Sequence, residues 1–287
     1  MKIKTLTLDQ TDFPKLLATI PTPPKQLYVL GADLQELMRR PRLAVVGSRK
    51  VSAYGRQITA QLAGDAARQG IVIISGLALG LDGLAHQAAL DAGGLTIAIL
   101  PAGLDKICPA THRQLAMSIL RTGGALVSEY PEGTTPYLGN FLARNRIVSG
   151  LSDGVLIPEA AQRSGSLSTA NHALEQGREV MAVPGNITSE LSTGTNNLIK
   201  AGAAPITCIE DILQVLGLEA TAIKDKDIVA ANAEEHAILT LLQSGITDAN
   251  ELQTTSQLTP ATFSQTLTML EITSKIKPLG AGHWCLK

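Results

Sequence analysis

From Leu43 to about Gly217 the chain keeps one rhythm: a short apolar run rich in β-branched residues, a turn of Gly, Pro, Ser or Asp, then an alanine-rich segment of helical period. The apolar runs do not alternate with polar residues, and Ile71-Val72-Ile73-Ile74 is the plainest case. A strand with one wet face alternates, whereas a strand covered by helices on both faces does not. The fold class that follows is α/β: a Rossmann-like, doubly wound, mostly parallel sheet whose ligand crevice lies beyond the carboxyl ends of its strands. Strands are predicted over Leu43–Gly47, Ile71–Ser75, Leu95–Leu100, Ala125–Glu129, Gly154–Ile157 and Glu179–Val183, with a short one at Pro205–Thr207. Helices are predicted between them at Ala53–Gln69, Asp82–Ala92, Pro109–Arg121, Phe141–Gly150, Ser166–Gln176 and Asn196–Ala201.

Residues 1–40 read as an extension packed on the sheet, interrupted by Pro14, Pro21, Pro23 and Pro24, with a short helix expected over Asp33–Arg39. The main domain is placed at 41–217, a linker containing Lys224-Asp225-Lys226-Asp227 at 218–233, and a small module at 234–287. Helical patterns at Glu235–Gln243, Asp248–Thr254 and Pro260–Glu271, followed by extended runs at Ser274–Lys277 and His283–Leu286, describe a winged helix. Its third helix carries no Lys or Arg, and Lys275, Lys277 and Lys287 face five acids in the module. Reading a duplex needs phosphate-neutralising charge, so a protein-contact or accessory role is expected for this module.

The 287 residues hold 24 Lys and Arg against 25 Asp and Glu, a net charge of −1 that gives no global attraction to nucleic acid or membrane. Any anion-binding surface must be local. By segment, 1–40 has six basic and four acidic residues, 41–217 has thirteen of each, and the rest carries the acidic excess. Cys108, Cys208 and Cys285 lie far apart without ligand spacing, so neither zinc nor a disulfide framework is expected. The first residues lack a signal-peptide apolar core and no apolar run approaches the roughly 20 residues that span a bilayer, which predicts a cytoplasmic chain with no membrane partner.

Three loops that leave strands at their carboxyl ends carry the candidate chemistry. In Gly47-Ser48-Arg49-Lys50-Val51-Ser52, Gly47 permits a tight turn, the serines can cap a helix, and Arg49 and Lys50 add cationic donors beside a positive helix N-terminus. The segment matches neither the dinucleotide fingerprint nor the Walker pattern, and an ordinary turn with solvated charges explains it equally well. In Ser75-Gly76-Leu77-Ala78-Leu79-Gly80-Leu81-Asp82, Gly76 brings backbone close to a ligand, while Asp82 and His86 share a helical face; a structural pair is favoured over a catalytic dyad. Further on, Arg144-Asn145-Arg146 sets two guanidiniums around an amide, although one of them could be a buried ion-pair partner of Glu159. Ser164-Gly165-Ser166 opens a helix as a second anion cradle. Glu129, Glu159 and Asp82 raise a metal-dependent nuclease, which the absence of any D-x-D, H-x-H or H-E-x-x-H spacing ranks low. No metal and no cofactor are expected.

In order along the chain, Gly47-Ser48-Arg49 with Tyr54-Gly55, Ser75-Gly76-x-Ala78-x-Gly80-x-Asp82-x-x-Ala85-His86, Phe141-x-x-Arg144-Asn145-Arg146, Glu159-Ala160 and Ser164-Gly165-Ser166-x-x-Thr169-Ala170 resemble the DNA-processing protein A (DprA/Smf) family. The resemblance runs from about Pro14 to Asp211, with the terminal module similar to the winged helix often attached in that family. It implies a non-catalytic, homodimeric protein that binds incoming single-stranded DNA in natural transformation, shields it, and helps load a RecA-type recombinase for homologous recombination. By position it places Gly47, Ser48, Arg49, Gly76, Arg144, Asn145, Arg146, Ser164, Gly165 and Ser166 around the strand, and Lys50 and Phe141 are counted with them as candidate DNA-binding residues. A lone Phe at a helix start packs in the core more often than it stacks a base, so core packing is expected of Phe141. Leu142 stands where the family commonly has Pro, and Cys108 where an aromatic is usual. The alternative is an enzyme acting on a nucleotide or nucleoside phosphate, since related Rossmann-like folds seat sugar-phosphates at similar Gly and Ser loops.

Overall fold

The computed structural model describes residues 2–219, 230–273, 275–280 and 282–286. The chain divides into two compact units, Met1–Thr221 and Ala222–Lys287. The first is built on a single sheet. In chain order its elements are β1 (Lys4–Thr7), α1 (Lys15–Ala18), β2 (Gln26–Gly31), α2 (Leu34–Leu37), β3 (Arg42–Val45), α3 (Ala53–Arg68), β4 (Val72–Ser75), α4 (Leu81–Asp91), β5 (Thr96–Leu100), α5 (Arg113–Arg121), β6 (Ala125–Ser128), α6 (Leu138–Gly150), β7 (Gly154–Ile157), α7 (Ser166–Glu175), β8 (Glu179–Ala182), α8 (Thr193–Lys200), β9 (Ala204–Pro205) and α9 (Ile209–Val215). The strands lie in the order β1-β2-β6-β5-β4-β3-β7-β8-β9. All neighbours from β6 to β9 are parallel, while β2 runs antiparallel to both β1 and β6.

Two-sided burial accounts for the unalternating apolar runs. Val72 and Ile74 enter one core with Ala44, Ile97 and Val155, while Ile71 and Ile73 enter the other with Leu43, Val45 and Leu62. Each face of β4 therefore buries full-sized aliphatic side chains, each worth roughly 1.5–3 kcal/mol of transfer free energy. Helices α6 and α7 cover one face and α3 with α4 the other. The sheet is a doubly wound α/β sheet of Rossmann type.

Local differences from expectation have local causes. β1 was not anticipated because only Leu6 among its residues is buried, so it carries no apolar pattern. The expected Asp33–Arg39 helix shrinks to Leu34–Leu37, capped by Asp33 accepting from the Gln35 N–H. The Pro109–Arg121 helix divides into a 3₁₀ turn, Ala110–His112, followed by α5. α6 starts at Leu138 rather than Phe141, and α9 adds a helix held by the Asp211 carboxylate on the Thr207 and Cys208 N–H groups.

The second unit contains α10 (Ala233–Gln243), α11 (Ala249–Ser256), α12 (Pro260–Ile272), β10 (Ile276–Gly280) and β11 (His283–Leu286). Asn232, Asp248 and Thr259 cap the three helices through their side-chain oxygens. Ile238, Leu252, Phe263, Leu270 and Ile276 form its own core. Lys275 pairs with Glu235 at 2.6 Å. Most of the expected linker, 218–233, lies outside the described residues.

Candidate functional site

A doubly wound sheet opens a crevice where the strand order reverses. Here the chain works outward from β3 to β6 and then returns to lay β7 against the other side of β3, so the reversal falls between β3 and β7. The loops that leave these strands are fastened to each other: the Ser48 N–H donates to the Glu159 carbonyl at 2.9 Å, and the Val46 N–H to the Leu156 carbonyl at 3.1 Å. A crevice of about 400 Å³ opens at this point. All the expected site residues line it except Arg146.

The floor is organised by one carboxylate and one guanidinium. Asp82 Oδ2 accepts the N–H groups of Gly76 at 3.1 Å and Ala78 at 3.4 Å, while Arg144 Nη1 donates to the Gly76 carbonyl at 2.6 Å and to the Ile99 carbonyl. The Gly76 peptide is thus clamped on both sides, and a Cβ at Gly76 would fall on the guanidinium. Arg144 and Asp82 are both buried. Burial pushes the Asp82 carboxyl upward, with Arg144 and the surrounding backbone N–H groups opposing it, and the same burial draws Arg144 downward against the pull of Asp82. Arg144 is therefore fixed inside the floor of the site. Leu77, between the two clamped peptides, sits at φ 57°, a left-handed conformation costing a leucine roughly 1–2 kcal/mol.

The walls carry the exposed charge. Arg49 and Lys50 are exposed, as is Arg163 on the opposite loop. The Arg49 guanidinium lies over the Phe141 ring, 5.3 Å from its centroid. Phe141 is half-buried and lines the crevice with Leu138 and Leu142, so the core placement expected of it is not what the fold provides. The helix starts three residues early, so Leu138, Phe141 and Leu142 fall at i, i+3 and i+4 on one helical face, which lines the crevice. Ser48 Oγ accepts the Lys50 N–H, Ser164 and Ser166 share a hydroxyl hydrogen bond of 2.7 Å, and Asn145 Nδ2 approaches the Gly165 carbonyl at 3.4 Å. Four cations line the crevice, Arg49, Lys50, Arg144 and Arg163, against the single carboxylate Asp82. The neutral chain has a positive pocket.

Two pairings differ from the sequence reading. Arg146 leaves the crevice to bind Glu129 at 2.6 Å. Glu159 takes no arginine; its carboxylate accepts the Ser52 N–H at 3.0 Å and the Ser52 hydroxyl, and Ser52 Oγ in turn caps α3 by accepting the Gly55 N–H. Asp82 is spent on backbone, so Glu129, Glu159 and Asp82 do not converge, and no group of three or more His, Cys, Asp or Glu suited to a metal ion occurs among the described residues. His86 is a structural link, its Nδ1–H on Thr96 Oγ1 at 2.6 Å and Thr96 on the Ile73 carbonyl at 2.7 Å. Arg163 and Leu138 were missed. Arg163 had a signal, being two residues before Gly165, whereas Leu138 depends on where α6 begins.

Fold and site together define an α/β protein with a cationic crevice at the topological switch point, joined to a small helical module with a β-hairpin. Residues 4–217 match the family model for DNA recombination-mediator protein A, and 224–282 match that for the DprA winged helix domain. The chain belongs to the DNA recombination-mediator protein A (DprA/Smf) family. It is 52% identical to Protein Smf of Escherichia coli over 71% of its own length, spanning 54% of that relative, and 41% identical to DNA processing protein DprA of Bacillus subtilis over 75% of its length and 71% of that protein. Among solved structures, DprA from Streptococcus pneumoniae aligns with a TM-score of 0.69 at 39% identity, covering 74% of each chain. DNA processing protein A from Helicobacter pylori, a structure concerned with that protein's single-stranded DNA binding mode, aligns with a TM-score of 0.67 at 36% identity over 75% of this chain and 95% of the other. No helix among the described residues is long and apolar enough to cross a membrane.

Proposed function

We propose that the crevice binds single-stranded DNA and does not turn it over. The observation that carries this reading is the combination in one place of exposed cations, Arg49, Lys50 and Arg163, with an apolar ridge formed by Leu138, Phe141 and Leu142. Cations take phosphates and the ridge takes unstacked bases, which is the division of labour that single strands require. The Helicobacter pylori relative supports it through its own binding mode. In the fuller reading the protein is a cytoplasmic homodimer that shields incoming DNA and helps load a RecA-type recombinase in transformation and recombination. The main domain, 41–217, holds the strand, and the acidic winged helix serves a protein partner.

A salt-titrated gel shift with an oligothymidylate, run beside duplex and supercoiled plasmid, tests this. Three phosphates neutralised by Arg49, Lys50 and Arg163 give a slope of log K against log salt near −2, at about −0.7 per phosphate on a single strand. Arg49→Ala with Arg163→Ala weakens binding about tenfold or more and flattens the slope. Unchanged affinity in the double variant removes the site assignment. Nicked plasmid, or phosphate or base released from a nucleotide panel, favours the enzymatic alternative instead.

A further inference from the structure

The loop 76–80 supplies two crevice-lining residues, Gly76 and Ala78, on either side of a leucine in the left-handed region. Something must hold that peptide in its uncommon orientation. The Leu77 side chain is fully buried beside Ala98 and Leu100, which fixes one side of the residue. Asp82 takes the N–H of Ala78 and Arg144 takes the carbonyl of Gly76. The Leu77 carbonyl has its own partner outside the crevice, His112 Nδ1 at 2.8 Å, from the 3₁₀ turn that precedes α5. A carbonyl oxygen only accepts, so Nδ1 carries the proton. The imidazole is seated against α4 at Gly83, where a Cβ would come within 2.6 Å of His112 Cε1. Gly83 is buried in α4, and its missing side chain makes room for the ring.

We propose that His112 is a positioning residue for the nucleic-acid crevice: by donating to the Leu77 carbonyl it locks the strained 76–80 loop in the geometry that presents Gly76 and Ala78 to the strand. This rests on the reading of the crevice as a single-stranded DNA site. His112 does not line the crevice. It therefore acts on affinity without contributing a phosphate contact, and this separates it from Arg49.

The test measures oligothymidylate binding across a salt series for the full chain, with Arg49→Ala as reference. His112→Ala is expected to lower affinity roughly three- to tenfold at every salt concentration while leaving the salt slope unchanged, whereas Arg49→Ala also flattens the slope by about 0.7. His112→Asn, whose Nδ2–H occupies the place of the imidazole Nδ1–H, is expected to restore binding. Gly83→Ala, which displaces the ring while favouring the helix, is expected to reproduce the His112→Ala loss and serves if that variant does not fold. Wild-type affinity in His112→Ala or Gly83→Ala beside a weakened Arg49→Ala overturns the positioning role alone. A flattened slope in His112→Ala, or no rescue by Asn, also overturns it. Wild-type affinity in Arg49→Ala overturns the site reading on which it rests.

Discussion

Glycines in this site serve different purposes. A Cβ at Gly76 would strike the Arg144 guanidinium, so Gly76→Ala is expected to cost about 1–3 kcal/mol of stability by overpacking the floor of the crevice. Gly165 is exposed at φ −62°, ordinary for any residue, and a Cβ there would meet nothing within 4 Å. Nothing inside the protein asks for a glycine at that position. Gly165→Leu is thus expected to change stability by no more than about 0.5 kcal/mol, yet to weaken oligonucleotide binding about tenfold, or about 1.4 kcal/mol. Thermal melts beside a binding isotherm decide both variants. His86 gives a separate prediction. It is fully buried, its Nε2 has no hydrogen-bond partner, and burial holds its pKa at about 3. The unfolded chain takes up that proton near the ordinary value of 6.5, so the stability contributed by neutral His86 is complete above pH 6.5 and is lost as pH falls toward 3. Urea unfolding between pH 7 and pH 4 should show a loss on the order of 3 kcal/mol from this group, and His86→Asn should remove most of it. Placement at the crevice was legible where a loop directly follows a strand, as for Ser48, Arg49 and Ser164 to Ser166. The partners of Arg146 and Glu159 were not readable, because they depend on which strands become neighbours.

Elements explain why the crevice holds its shape. Ser52 caps α3 and simultaneously donates to Glu159, which belongs to the loop after β7. The helix cap and the tie between the two switch-point loops are one hydrogen-bond group. Ser52→Ala is expected to lose about 1–2 kcal/mol, as a helix cap does. It should also weaken oligonucleotide binding, because the loop bearing Arg49 loses its hydroxyl tie to Glu159 in the loop bearing Arg163 and keeps only the backbone ones. Denaturant titration and the salt-series gel shift on one preparation check both effects, and a stability loss with unchanged binding would separate the cap from the site. The strands from β3 to β8 and the helices between them were visible in the apolar runs because both faces of this part of the sheet are covered. Their lateral order was not visible. β3 and β7 are separated by more than a hundred residues, and only their pairing puts Glu159 beside Ser52. β1 and β2 join the sheet from a segment read only as an extension packed on it, and α9 escaped notice although Ile209, Ile212 and Leu213 have helical spacing behind the Asp211 cap.

The molecule as a whole reconciles a chain of net charge −1 with a cationic site by keeping its charges apart. Four cations line the crevice with one buried carboxylate, while the second unit carries Glu234, Glu251 and Glu271 and commits Lys275 to Glu235. The winged helix was legible from its three helical patterns and terminal extended runs, and its acidic character follows directly from composition. A chain ending at Thr221 is expected to unfold cooperatively and to bind an oligothymidylate within about twofold of the full chain; a larger loss would mean that the second unit contributes to the strand site. One feature of the sheet bears on how copies can associate. Its outer strands are β1, four residues that include Lys4, and β9, two residues of which one is Pro205 and so lacks an N–H. Short, charged or proline-bearing margins are poor templates for adding another strand. Two copies joined side by side would find little backbone to pair at either margin, so a dimer of this chain is expected to form through helix faces or loops, and the same margins guard a concentrated solution against fibrillar stacking.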